Sequence, residues 1–257
     1  MSGLIWLDPD TPLPEPDLAM PEGLLAAGSD LSVSRLMEAY SKGAFPWFNE
    51  GDPVLWWSPD PRMVLSCAGF KVSRSLSKKL RRIASQETRA DARIIVTTDL
   101  AFRHVIRACS APRSTQAGTW ISERIIAAYS QWHDQGQVHS VETWVDGKLA
   151  GGLYGVCLGG FFFGESMFAW SSDSSKIALA YLVRFLSRHG VTHLDCQQDT
   201  HHLASLGAGT MNRSAFLSLL RNALQNPAPP WRAGQLLQDG QLRPMDVRSL
   251  QDREEEA

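Results

Sequence analysis

The stretch "FFFGESMFAW", residues 161 to 170, sets one carboxylate, Glu165, inside a run of aromatic and apolar side chains. Read as an unbroken strand, it puts Glu165 beside Phe163 and Met167 on one face, with Phe162 and Phe168 on the other. A buried carboxylate without a partner costs several kcal/mol or takes up a proton, so Glu165 requires a partner. Further along, "THLDCQQDTHHLASLGA" carries Asp195 and Gln197 at i and i+2, hence on one strand face. One is an acceptor and the other both donor and acceptor, and a satisfied structural pair is their plainest reading. Cys196, His193, His201 and His202 share the stretch, but their spacing matches neither H-E-x-x-H nor paired C-x-x-C, so no metal site is expected. No local signature supports a Cys/His nucleophile either.

Two further patterns suit a nucleic acid. "KVSRSLSKKLRR", residues 71 to 82, holds six Lys/Arg and no acid, and as a helix it would line up Lys71, Arg74, Lys78 and Arg82. The plain alternative is a solvated face, yet a one-signed stripe in a chain of net charge −2 suits a phosphate backbone. The chain also has nine tryptophans, of which Trp47, Trp56 and Trp57 fall in a Pro-rich stretch and Trp120 stands apart. Tryptophan is most often core, but in such loops it can stack on a flat group such as a base.

The elements that must position these residues follow from periodicity and punctuation. Residues 1–31 read as mostly irregular, and a short helix runs from Val33 to about Lys42 between Ser32 and Gly43. "GAFPWFNEGDPVLWWSPDPR" is too rich in proline for a helix or a central strand. Beyond Arg62, "RIIVTT" reads as a strand, Asp99 begins a helix to about Cys109, and "SERIIAAYSQWHDQG" is an amphipathic helix. "HSVETWV", "KLAGGLYGVCL" and "FFFGESMF" read as three antiparallel strands joined by turns at Asp146-Gly147 and Gly159-Gly160. "SSDSSKIALAYLVRFLSRHG" is a helix, "VTHLDCQ" a strand, "NRSAFLSLLRNAL" a last helix, and the tail "DREEEA" is expected to be disordered.

This reading divides the 257 residues into a small aromatic- and Pro-rich domain (1–62), a larger domain (63–232) and a partly disordered tail (233–257). The composition, 44% hydrophobic and 20% charged, is that of a soluble globular protein. Four cysteines without paired spacing, no signal-peptide pattern and no apolar run of membrane-spanning length point to a cytoplasmic protein.

The element order of the larger part resembles the acyltransferase fold of GNAT-type enzymes, which implies an α+β class with a mixed sheet flanked by helices. Where that fold carries a Gly-rich pyrophosphate turn, this chain reads "FAWSSDSSKIAL", with Asp173 set to repel a diphosphate. The acyl donor is therefore expected not to be coenzyme A, and a coenzyme A-dependent N-acyltransferase or a non-catalytic RNA-binding module are the alternatives.

The segments "PEGLLAAGSDLSVSRLMEAYSKGAFPWF", "DPVLWWSPDPR", "GTWI", "HSVETW", "GGLYGV", "FFGESMF", "SKIAL", "LDCQ" and "HLASLGA" together resemble the leucyl/phenylalanyl-tRNA-protein transferases, from about Gly23 to Trp231. The resemblance implies a cytoplasmic bacterial enzyme of the N-end rule pathway. Such an enzyme takes leucyl-tRNA or phenylalanyl-tRNA and protein acceptors beginning with Arg or Lys, without a cofactor. It implies a reaction centre at Asp195, Gln197 and Glu165, with Gln197 orienting the amine or the oxyanion. Asp195 would hold Gln197 and attract the positive end of the acceptor, and Glu165 would meet the substrate itself. It further implies an aminoacyl side-chain pocket of Leu153, Phe162, Met167, Leu179, Leu182 and Leu186. Trp47 and Trp120 would frame the terminal adenosine, and Arg74, Lys78, Arg81 and Arg82 would meet the acceptor stem.

Overall fold

The computed structural model describes residues 4–111 and 120–245. The chain begins with β1 (Ile5–Leu7), β2 (Leu24–Gly28), α1 (Val33–Ser41), β3 (Phe45–Pro46) and β4 (Val54–Trp57). Their strands form a four-stranded sheet in the order β1-β2-β4-β3. Helix α1 starts where expected, with the Ser32 hydroxyl accepting from the Arg35 amide, and stops at Gly43, whose φ is +80°.

Two features of this region differ from the expectation. The described residues up to 31, though mostly irregular, include β1 and β2, which pair in parallel. The tryptophan-rich stretch does supply an interior strand, β4. Its four residues, Val54 to Trp57, are free of proline, and Pro46 sits on the edge strand β3, where a missing N–H does no harm.

The rest of the described chain runs β5 (Arg62–Ser66), α2 (Arg74–Ala84), β6 (Ile94–Thr98), α3 (Phe102–Ser110), α4 (Glu123–Asp134) and β7 (Val138–Val145). It continues with β8 (Lys148–Leu158), β9 (Phe161–Ala169), α5 (Ser174–Arg188), β10 (His193–Gln197), α6 (His201–Ser205) and β11 (Gly209–Met211). It closes with α7 (Arg213–Leu224), β12 (Gly234–Leu236) and β13 (Leu242–Pro244). The strands form a nine-stranded mixed sheet in the order β11-β5-β10-β9-β8-β7-β6-β12-β13. The β9–β10 pair is parallel, because α5 carries the chain across between them; its neighbours are antiparallel. The protein is thus α+β, with helices on both faces of a mixed sheet.

One apolar cluster joins that sheet to the N-terminal part. Phe161 and Phe163 of β9 and Tyr154 of β8 pack there with α3, α4, Phe216 of α7, and Leu36, Phe45 and Trp56. The opposite face carries α5 and the buried Leu76, Leu80 and Ile83 of α2.

Other boundaries differ from the sequence reading. Helix α3 begins at Phe102, not Asp99, because Asp99 adopts φ +56° and turns its carboxylate to the Ser140 amide and to His139. The segment after residue 232 is not all tail, since β12 and β13 extend the sheet beyond β6. These two short strands turn at Asp239-Gly240, a signal too brief to register against their polar composition. The sequence "DREEEA" lies outside the described residues.

Candidate active site

Strand β9 does not keep a single alternation. Its register with β8 slips between Tyr154/Ser166 and Gly155/Gly164, so that Glu165 is the extra residue of a β-bulge. A one-residue slip exchanges the faces of everything beyond it. Phe162 and Met167 therefore lie toward the same cluster, while Phe161, Phe163 and Phe168 join the other. The expected grouping of Glu165, Phe163 and Met167 on one face is corrected by this bulge. Gly155 makes the tight crossing: a Cβ there would meet the Phe163 carbonyl oxygen at 2.2 Å.

Strand β10 has its own irregularity between Asp195 and Gln197, where Gln197 takes φ +62°. Pairing between β9 and β10 is recorded at Leu194/Phe162 and Asp195/Phe163, with the Glu165 bulge just beyond it on β9. A cavity of about 500 Å3 lies at this place. Glu165, Asp195 and Gln197 are all on its wall, so the structure brings the three candidate polar residues together.

Their connections form a chain. Asp195, with no exposed surface, receives Nε and Nη2 of the equally buried Arg62 at 2.8 and 2.6 Å. Arg62 in turn lies over the rings of Phe45 and Phe216, 4.7 and 4.5 Å from their centroids, and gives Nη1 to the Gly43 carbonyl at 3.1 Å. The Gln197 amide donates to Asp195 Oδ1 at 2.8 Å, which fixes the bulged backbone. The Gln197 side chain gives Nε2 to Glu165 Oε1 at 2.9 Å. The expectation that Asp195 attracts the positive end of an acceptor is therefore corrected, because the Arg62 guanidinium already takes that charge.

Glu165 has protein partners as well. The Tyr40 hydroxyl donates to Oε1 at 2.6 Å, and the Tyr129 hydroxyl stands 2.6 Å from that of Tyr40 and 3.5 Å from Oε2. Tyr40 has one proton, spent on Glu165, so Tyr129 donates to Tyr40. Both tyrosines are fully buried, and loss of hydration holds their pKa values well above the ordinary phenol range. Loss of hydration lifts Glu165 to about 8; the Tyr40 hydrogen bond opposes the rise and the Asp195 charge adds to it.

The apolar candidates divide. Leu153, Phe162, Met167, Leu179 and Leu182 line the cavity, with Leu153 directly opposite Met167 on the paired strands. Leu186 does not line it and is wholly buried in the core under α5. Its helical spacing from Leu179 and Leu182 was equally that of a core position, which is what it is. Trp47, 39% exposed, and Trp120 border the cavity. Arg74, Lys78, Arg81 and Arg82 are exposed on α2, away from the cavity wall.

Residue-level reading missed Arg62, Tyr40 and Tyr129. Arg62 opens the apolar strand "RMVLS", a burial signal for a cation that went unread. The tyrosines sit on core stripes of α1 and α4, where nothing distinguishes them from packing. Leu65, Leu194 and Leu203, also on the cavity wall, carry no such signal. Among the described residues no group of His, Cys, Asp and Glu is arranged to hold a metal ion.

A family model described as leucyl/phenylalanyl-tRNA protein transferase matches residues 64–221, and one described as the N-terminal domain of that enzyme matches residues 29–60. A protein of Bordetella avium (strain 197N) named leucyl/phenylalanyl-tRNA-protein transferase is 58% identical over 239 residues, 92% of this chain and 96% of its own. A protein of the same name from Bordetella petrii is 56% identical over 249 residues, 96% and 98% of the two chains. One from Janthinobacterium sp. (strain Marseille) is 53% identical over 227 residues, 86% and 93% of the two. Among solved structures, that of L-PGS from Bacillus licheniformis aligns at a TM-score of 0.33 with 11% identity, over 70% of this chain and 57% of that one.

Proposed function

The chain belongs to the leucyl/phenylalanyl-tRNA-protein transferase family, and from that premise we propose how its residues carry out the transfer. The protein moves leucine or phenylalanine from aminoacyl-tRNA to the N-terminus of a protein. We take the acceptors to begin with Arg or Lys, as in the N-end rule pathway of the cytoplasm, and the sheet to be a GNAT-like acyltransferase sheet with residues 1–62 as its companion domain. No described helix is long and apolar enough to cross a membrane.

The observation that carries the reading is the Gln197 carboxamide, held on the wall of an otherwise largely apolar cavity. Its Nε2 is committed to Glu165, so its Oε1 is the atom left to accept a hydrogen bond from an attacking amine. An α-amine has a reference pKa of about 7.7–8.0, so on the order of 10% of it is already uncharged at neutral pH. The ester is already activated. The amine nitrogen bonds to the carbonyl carbon, the ester C–O bond breaks, and the tRNA ribose hydroxyl departs with a proton. Such a step needs neither a covalent nucleophile nor a strong base, and its acceleration comes from alignment.

In this scheme Gln197 and Glu165 touch substrate, while Asp195, Arg62 and Tyr40 are positioning residues. Leu153, Phe162, Met167, Leu179 and Leu182 receive the Leu or Phe side chain, Trp47 and Trp120 the terminal adenosine. The exposed cations of α2 meet the acceptor stem. Coenzyme A fits poorly, because Asp173 occupies the N-terminus of α5 in an ion pair with Lys79 at 2.7 Å. The test is incubation with labelled leucyl-tRNA and peptides differing only at their first residue. Label should pass to those beginning with Arg or Lys; equal transfer to Ala- or Asp-initiated peptides would remove the acceptor assignment.

A further inference from the structure

Trp170 is 64% exposed, more than any other large apolar side chain among the described residues. A single exposed apolar residue is ordinary, but this one is held in place. Its amide and that of Ser171 both donate to the Ala150 carbonyl, at 2.8 and 3.2 Å. Its ring rests edge-on against Phe168, with centroids 4.8 Å apart at 61°.

The turn that follows is tied to the cationic helix. Lys79 Nζ donates to the Ser172 carbonyl at 3.1 Å and to Asp173 Oδ2 at 2.7 Å. That ion pair neutralises Lys79, whereas Arg74, Lys78, Arg81 and Arg82 are exposed and form no ion pair with a described residue. Trp170 also follows Met167, a cavity wall, by three residues, which is about 10 Å of extended chain. It thus lies on the chain segment that leads from the cavity wall to the turn held by Lys79 of α2.

We propose that Trp170 is a stacking platform for an unpaired base near the 3′ end of the substrate tRNA, forming one RNA-binding surface with the cationic face of α2. The proposal rests on the reading of that face as the tRNA site. The cations hold the phosphate backbone without fixing where along it they act, because charge attraction is indifferent to register. A flat ring gripping one base fixes the register, and so delivers the ester to the cavity. Any base has a π-face, so the platform serves leucyl- and phenylalanyl-tRNA alike.

The test measures tRNA binding across a salt series, and transfer to an Arg-initiated peptide from leucyl-tRNA and from a minimal aminoacyl-adenosine. Trp170→Ala should raise the tRNA Kd at least about five-fold while leaving the salt slope intact, since stacking releases no counterions. Transfer from the minimal donor should stay within about two-fold, because that donor carries no base for Trp170 to stack on. Trp170→Phe should keep most of the affinity and Trp170→Leu should not, and this pair decides the matter if the alanine variant melts early. Unchanged binding, an equal loss on both donors, a loss confined to the peptide KM, or leucine serving as well as phenylalanine would each overturn the proposal. The parent reading fails separately: Arg74→Ala with Lys78→Ala would then leave binding and salt slope unchanged.

Discussion

Glu165 and Glu142 are both carboxylates of the nine-stranded sheet whose pKa is lifted by loss of hydration, to about 8 and about 7. Glu142 has no exposed surface and is capped by two hydroxyls, Ser140 on one oxygen and Thr97 on the other, while the Trp144 indole donates to Thr97 at 2.7 Å. Glu165 sits at a bulge, takes Tyr40 and Gln197 on the same oxygen, and borders a cavity. One acid is closed in by its own strands; the other is placed where two strands cease to pair. A raised pKa reports desolvation, which either setting provides. Room for a substrate is what separates a site from a structural acid, and in this fold that room is made by backbone irregularity.

The largest expected effect comes from removing the cation paired with Asp195. Arg62→Met strands a buried carboxylate and should destabilise the fold by about 3–5 kcal/mol, read by urea or thermal unfolding. No ion pair with a described residue compensates Glu142, so Glu142→Gln should shift stability far less. A small shift for Arg62→Met would mean that the buried Arg62–Asp195 pair does little to hold the fold.

The second prediction divides the two acids by activity. Glu165→Gln should lower kcat for leucine transfer by on the order of 10²-fold, as loss of a preorganised polar group does. Glu142→Gln should leave it within about two-fold, the ordinary outcome away from a site. Equal losses would erase the distinction between the regions.

The third concerns pH. Both acids bind protons more tightly in the folded protein than the ordinary carboxyl value of 4.5. Their contribution to stability is therefore full below about pH 4.5 and is lost as pH rises, toward about 7 for Glu142 and about 8 for Glu165. The melting temperature should fall across that window, and Glu165→Gln should flatten its upper part. An undiminished decline between pH 7 and 8 in Glu165→Gln would show that other groups carry it.

Much of this was legible in the sequence and some was not, for physical reasons. The hairpins at Asp146-Gly147 and Gly159-Gly160, the cap at Ser32 and the stop at Gly43 are local signals, read within a few residues. The bulges are not local. Glu165 is an extra residue only relative to β8, so no pattern within "FFFGESMF" reveals that the alternation changes face there. The partners of Glu165 likewise come from α1 and α4, 125 and 36 residues away, and follow from packing rather than spacing. Leu179, Leu182 and Leu186 share one helical stripe, and only the shape of the cavity separates the first two from the third.

The smallest effect should be one of preference. Met167→Ala widens the cavity opposite Leu153 and should weaken leucine transfer by about 1–3 kcal/mol, shifting the leucine-to-phenylalanine ratio of kcat/KM toward phenylalanine. A lower melting temperature with an unchanged ratio would return Met167 to the core.

The central claim is that the Gln197 carboxamide, fixed through Asp195 and Glu165, aligns the attacking amine. Single-turnover transfer from pre-bound leucyl-tRNA to an Arg-initiated peptide tests it in Gln197→Ala, which leaves the Arg62–Asp195 pair in place. The rate at saturating peptide should fall by on the order of 10²–10³, with tRNA affinity and melting temperature near those of the parent protein. A well-folded Gln197→Ala enzyme that transfers leucine at close to the parent rate would contradict the account.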